Sequence, residues 1–444
     1  MATGRLRIAI VLLGVFLWIT HPCLASSDFK VSPHADFKYD SVYYPSKLNS
    51  DVNQTDQILN LSVPITMRWG HLVKFKIAPV GQADLWNNST RERSWVDLPE
   101  GYGQIQKGPF TLQAGYNNFT WGATDIFNPL DVVSARRFFD PLRASKLGAP
   151  AISLKTDVAV LSLDLIYIPK QRKSILPGEN SRWLPREVIH TQNFATLNGP
   201  ATILVPDNLV YSYSADKELD HATDNNFGIH LSGQLPHFDW ALMGFNGEAP
   251  APATSITTGA TLVSYTPIVI QANSNITINP IYYRQWVYGG NFVWALGQYI
   301  VRGESAFTRP ISRDGAITGI GQEHALEIEH NVQIGKDQVT VIVEGTFSKH
   351  EKDSDNSSTS LSRVFDRAAI LALRYSPTEK WNFLGSAFYD FLFKGNFFHV
   401  EGSYALRDAL KLNLSLDNLN GPDETPIGTY RKNGRVIAGF SYQL

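Results

Sequence analysis

The sequence predicts an all-β fold, a transmembrane antiparallel β-barrel of about 18 strands (16 to 18), with long extracellular loops and short periplasmic turns. Three observations predict it. Apolar residues recur at every second position, the runs that do so are about ten residues long, and short and long connections take turns between them.

The first element is a leader. Arg5 and Arg7 precede an apolar core from Ile8 to Ile19, followed by Pro22 and Ala25. This is the pattern of a signal peptide over 1–25, leaving 26–444 as the barrel. Its 12-residue core falls short of the roughly 20 residues a spanning helix needs. The only cysteine, Cys23, lies inside the leader, so a mature chain without it has no disulfide, as befits a Gram-negative envelope protein. Charged residues are 18%, aromatics 12% and the formal net charge is -2. That balance excludes a disordered chain and a nucleic-acid binder.

The strands then follow in order. "ADFKYDSVYY" sets Phe37, Tyr39 and Ser41 against Lys38 and Asp40, and "LNLSVPITMRW" alternates Leu59, Leu61, Val63, Ile65, Met67 and Trp69 with polar residues and Pro64. Gly70 and 107–109 read as short turns. From 149 onward the short links fall at Thr156-Asp157, Leu235-Pro236, Gly335-Lys336-Asp337, Pro377-Thr378-Glu379 and Arg407-Asp408. The long links fall at 170–223, 247–274, 350–361 and 418–430, with "KGN" at 394–396 as one outer link that stays short. "ALKLNLSLDN" repeats the strand pattern, and "RVIAGFSYQL" closes the chain as a descending strand. A soluble sandwich shows the same local alternation. The aromatics near strand ends, Trp69, Trp381, Tyr389, Tyr404 and Tyr442, favour a membrane barrel, where they form interfacial girdles.

The stretches "FTLQAGYNNFTWGATDIFNPLDVV", "KLGAPAISLK", "LDLIYIPKQRKSILPGENSRWLP" and "YALRDALKLNLSLDNLNG" and the closing "FSYQL" resemble, in that order, a family of Gram-negative outer-membrane barrels of largely unknown function. The family is akin to porin and alginate-export barrels. The resemblance implies the fold and a place in the outer membrane, with the barrel-assembly machinery as a partner. That machinery commonly reads a terminal Phe, and this chain ends in Leu444 while keeping the alternation of Val436, Phe440 and Tyr442.

The irregular segment after residue 117 is the third outer connection. A water-exposed loop does not ordinarily carry Phe127, Leu130, Phe138, Phe139 and Leu142. We expect residues 119–148 to fold inward as a constriction or plug, with Asp131, Arg136, Arg137, Asp140 and Arg143 facing the passage. If the apolar strand faces meet lipid, then Arg302, Glu304, Glu327, Glu329, Glu344, Asp366, Arg374, Asp390, His399 and Glu401 line a hydrated lumen.

Catalytic and cofactor signals are lacking. There is no GxSxG, phosphate loop or HExxH motif. His324 and His330, six residues apart on one strand, are too distant to share a metal. "EKDSDNSSTS" lacks the later ligands of a calcium loop. The expected function is therefore a non-enzymatic, porin-like channel for passive passage of a solute or of a hydrophobic or saccharide-like compound. Its expected partners are outer-membrane lipid and lipopolysaccharide, the assembly machinery and an unidentified substrate, with no nucleic acid. A surface adhesin or structural barrel acting through the long outer loops is the alternative, and an outer-membrane hydrolase a more remote one.

Overall fold

The computed structural model describes the chain except residues 1–28, 49–51, 87–92, 187–190, 197–198, 266, 318, 352–360 and 424. The leader and most of "EKDSDNSSTS" lie outside the described residues.

Eighteen antiparallel strands close into a single barrel. In chain order they are β1 (Phe29–Pro33 continued by Asp36–Tyr43), β2 (Thr55–Ser62 continued by Ile65–Trp69), β3 (Val73–Asp84), β4 (Trp95–Lys107), β5 (Phe110–Asn117) and β6 (Ala149–Val158). There follow β7 (Leu161–Lys170), β8 (Asp224–Leu235), β9 (Phe238–Glu248), β10 (Arg284–Leu296), β11 (Tyr299–Pro310) and β12 (Gly321–Ile334). The last six are β13 (Asp337–His350), β14 (Arg367–Thr378), β15 (Trp381–Asp390), β16 (Asn396–Arg407), β17 (Leu410–Asn420) and β18 (Arg435–Gln443). Each strand pairs with its sequence neighbour, and β1 pairs with β18 from Asp36↔Gln443 to Tyr43↔Val436. The ring has no free edge, as a bilayer requires of backbone groups that no water can satisfy.

Prolines explain the two interrupted strands. Pro64 has no N–H to give the ladder, so β2 breaks there and Val63 N–H donates to Pro79 O at 3.0 Å, where the β3–β4 register also shifts. At the same level β1 breaks, and His34 N–H donates to Pro64 O at 2.9 Å. The C-terminal residue completes the seam, as Leu444 and Ala35 exchange backbone hydrogen bonds of 2.9 and 3.1 Å.

Outward-facing side chains form an apolar belt, including Leu242, Leu326, Val343, Leu371 and Leu414, all exposed. Aromatics flank it at the short-turn end (Trp69, Trp294, Trp381, Tyr442) and the long-loop end (Tyr43, Tyr116, Trp286, Tyr389). Trp381 packs against Tyr404 at 4.6 Å. This is the girdled belt of a transmembrane barrel.

Several boundaries differ from the sequence expectation. The short turn expected at Thr156-Asp157 lies at Ala159-Val160, because both residues are still paired in the β6–β7 ladder, Thr156↔Leu163 and Asp157↔Ser162, and Ala159 takes the left-handed conformation (φ 53°). The connection expected at 247–274 runs to 283, since Ala253–Tyr265 and Ile268–Tyr282 form a hairpin above the barrel. With the connection after β7 it builds a six-stranded outer sheet that includes Gly199–Leu204 and Val210–Tyr213. β14 begins at Arg367 rather than 362, and the last outer connection ends at 434 rather than 430.

Candidate functional site

The connection between β5 and β6 leaves the wall at 118 and turns into the barrel. Its backbone is held by carboxylates on the inner face of the far wall. Glu304 on β11 accepts the N–H groups of Ala123 (2.8 Å), Thr124 (3.4 Å) and Leu130 (2.6 Å). The Thr124 hydroxyl lies 3.1 Å from the same carboxylate, but its single proton serves the closer Phe127 carbonyl at 2.6 Å. Glu327 on β12 accepts from Asp125 N–H at 2.8 Å, and Glu344 on β13 from Phe127 N–H at 3.0 Å. Asn291 on β10 donates to the Trp121 carbonyl at 2.7 Å. A loop has few backbone partners of its own, and these contacts satisfy the groups that folding into the barrel would otherwise strand.

Side chains fix the same path. Trp121 stacks on His230 of β8 with centroids 5.4 Å apart, and Phe127 stacks on Phe365 at 4.5 Å. Phe119, Trp121, Leu130, Val132 and Val133 form one buried cluster with the inner face of β6, β7 and β9–β11, including Ala149, Ile166, Phe245 and Val287. Gly122 is needed here, since a Cβ would sit 1.7 Å from the Asn128 side chain. Leu130→Ala is expected to cost about 2–5 kcal/mol, the range for emptying a fully buried leucine site. A denaturant titration of the refolded protein measures it.

The charged residues of the loop are placed as follows. Asp131 accepts from Arg136 and Lys146, both at 2.6 Å. Burial pushes the Lys146 ammonium below its usual range, and Asp131 partly restores it. Asp140 pairs with Arg435 at 2.5 Å and caps the turn at Leu142 N–H at 3.1 Å. Arg143 is exposed and donates to Ser415 at 3.1 Å. Arg137 departs from expectation. It is buried, with its guanidinium 3.9 Å from the Trp95 ring centroid and 3.2 Å from Asp97, because the apolar ring covers it on the wall side.

The wall residues divide in the same way. Arg374 on β14 is half exposed and pairs with Asp125 at 2.8 Å, and Glu401 is part-exposed, 3.6 Å from His399. Arg302 bonds Glu327 and, at 2.9 Å, Glu329. Asp125, Glu327 and Glu329 bring carboxylate oxygens within 4.8 Å of one another, with Arg302 paired to the two glutamates and Arg374 to Asp125. A hydrated surface does not describe Glu304, Glu327, Glu344, Asp366 and Asp390, which are buried. The first three are covered by the loop they hold. Asp390 caps the link after β15 through Leu392 and Phe393 N–H at 2.8 and 3.0 Å. Asp366 precedes β14 altogether and bonds Arg363 at 2.8 Å.

Sequence reasoning missed a buried network at the other end of the loop. Arg435 on β18 bonds Asp417 on β17 at 2.6 Å, and Asp417 bonds His399 on β16 at 2.6 Å. These residues share inward parity on consecutive strands, Asp417↔Arg435 and His399↔Asp417, which is the signal that could have found them. A second missed group is Arg93, paired with Asp56 and, at 2.6 Å, with Asp84, and lying over Phe139 at 5.1 Å. Asp140→Ala is expected to cost about 2 kcal/mol, the worth of a hydrogen bond to a charged group. Thermal unfolding in detergent checks it.

Together these features define a porin-like barrel with a loop folded across its interior. The sequence matches no family model, and no curated protein matches it. Among solved structures, OccAB1 of Acinetobacter baumannii is similar over 93% of this chain and 96% of its own, with 10% identity and a TM-score of 0.53. A substituted variant of the Rh. blastica porin aligns over 94% of this chain and all of its own, with 10% identity and a TM-score of 0.41. The OmpT outer membrane protein of Vibrio cholerae, with one loop deleted, aligns over 94% of this chain at 7% identity and a TM-score of 0.44. The fold is that of porin-like outer-membrane barrels.

Proposed function

We propose that this chain is a passive channel of a Gram-negative outer membrane, exported by its leader, inserted by the barrel-assembly machinery and narrowed by residues 119–148. The observation that carries this reading is a loop crossing a closed barrel of a size that otherwise leaves an aqueous channel. The interior groups left partly open to water, Asp125, Arg143, Arg374 and Glu401, carry both signs. They suit a small hydrated polar or saccharide-like solute. A hydrophobic solute is less well served, since the apolar inward side chains pack against loops.

Conductance of the refolded full chain in a planar bilayer tests the proposal. Stepwise ion currents support it, and a silent, correctly folded barrel would sink it. Arg374→Glu is expected to shift ion preference toward cations, read as a change in reversal potential across a salt gradient. An unchanged potential would place the passage elsewhere.

The outer sheet favours a second reading, a surface-binding protein. The strand Ala253–Tyr265 presents Ile256, Val263 and Tyr265 exposed. Deleting residues 254–280 tests it: the deletion removes the strand that Gly199–Leu204 and Val210–Tyr213 pair with and so dismantles the outer sheet, while Ala249 N–H bonds Tyr283 O at 3.0 Å across the gap. Loss of cell or ligand binding with conductance intact would favour that reading.

A further inference from the structure

The outward face of the barrel is not uniform. Across β9–β14 small residues open a groove of about 830 Å³ in the apolar belt, which runs from mid-strand on β9–β11 to the long-loop end on β12–β14. Its floor includes Gly303, Ser305 and Gly345, and a Cβ on Gly345 would meet nothing within 4 Å. Leu242, Phe292, Leu326 and Phe347 form its apolar sides. His324 and Ser305, joined by a 2.9 Å hydrogen bond, lie inside it on the lipid-facing side.

Cations gather where this groove meets the rim. Arg367 lines it directly, and Arg309 and Lys349 project outward from β11 and β13 at the same end. Gln322 stands directly opposite Lys349, and Phe347 opposite Arg367. Lys349 and Arg367 are therefore diagonal neighbours, about 7–8 Å apart at Cα and within joint reach of one anion. Among the described residues none of the three cations forms an ion pair. Arg284 on β10 continues the row, but its guanidinium is occupied by Asn246 and the carbonyls of Asp224 and Asn225. The feature is local. From β15 to β18 the outward positions at this end include Tyr389, Phe391 just past β15, Phe398, Leu416, Asn418 and Val436, none of them a cation.

We propose that this face of β9–β14 binds one lipopolysaccharide molecule, its phosphates on Arg309, Lys349 and Arg367 and an acyl chain in the glycine-floored groove. Unpaired cations at the rim complement a phosphate, while the groove below complements a hydrocarbon chain, and a phosphorylated outer-leaflet lipid carries both. His324 and Ser305 add hydrogen bonds near the boundary between them. The inference rests on the outer-membrane location proposed above and is independent of conduction.

Native mass spectrometry of the refolded full chain, titrated with purified bis-phosphorylated lipid A, its dephosphorylated form and inorganic phosphate, tests it. The phosphorylated lipid is expected to bind at least about tenfold more tightly than the dephosphorylated one, as one charge-assisted contact or more would give. The triple variant R309Q/K349Q/R367Q is expected to lose that preference, and G345L to weaken the lipid without touching the cations. Both variants should keep wild-type conductance, which reports folding and separates this proposal from the channel reading. Equal binding of the two lipids, phosphate alone matching lipid A, or a triple variant that binds as the parent does would overturn it. So would a dimer or trimer through this face, abolished by G345L, with no lipid adduct.

Discussion

Glu304→Ala is expected to lower the unfolding free energy by about 3 kcal/mol or more and to loosen the loop across the barrel. Three backbone N–H groups, those of Ala123, Thr124 and Leu130, converge on this carboxylate. Leu130 is fully buried and Thr124 nearly so, so no water replaces the lost acceptor at those two positions. Each stranded donor costs about 1–3 kcal/mol. Glu304→Gln keeps one acceptor oxygen but brings an NH2 against those donors, so an intermediate loss is expected. Thermal and urea unfolding in detergent measure the stability, and excess current noise in single-channel records reports the loosened loop. An E304A protein as stable and as quiet as the parent would show that this anchor is dispensable.

How far the sequence carried is clearest on the residues that hold the loop. Period two told which way Glu304, Glu327 and Glu344 point, because side-chain direction in a strand is a local property. It did not tell what they meet. Their partners are backbone groups 174 to 217 positions away within an aperiodic loop, and a donor without a side chain leaves no mark in a pattern of side chains. The same limit hid Arg137, whose charge suggested water and whose actual neighbour is the ring of Trp95. Alternation also misled once. Residues 275–282, which a connection ending at 274 leaves to the wall, alternate as a wall strand does, yet they belong to Ile268–Tyr282, which pairs with Gly199–Leu204 and Val210–Tyr213 above the barrel. Periodicity reports that a strand has two unlike faces, and says nothing about which sheet it joins.

Replacing residues 119–146 with a short Gly-Ser turn is expected to raise single-channel conductance several-fold. The wall does not depend on the loop, since β5 and β6 pair from Asn117↔Ala149 to Thr111↔Lys155 without any of these residues, and their ends stand side by side ready for a tight link. What the loop does is cross. It leaves from β5 and its Asp125 reaches Arg374 on β14, nine strands away around a ring of eighteen and so on the opposite wall. A bare barrel of this strand number holds a continuous water column, and a segment spanning its full width sets the narrowest section. Excision also removes Asp125, Arg136 and Arg143, so ion selectivity should move together with conductance. The cost is Ala149, Ile166, Phe245 and Val287 turned toward water, a loss of stability that unfolding experiments would register separately. A folded variant with parental conductance and parental selectivity would mean that the passage skirts the loop, and the constriction would then belong to the outer connections packed around Trp183, Ile427 and Tyr430.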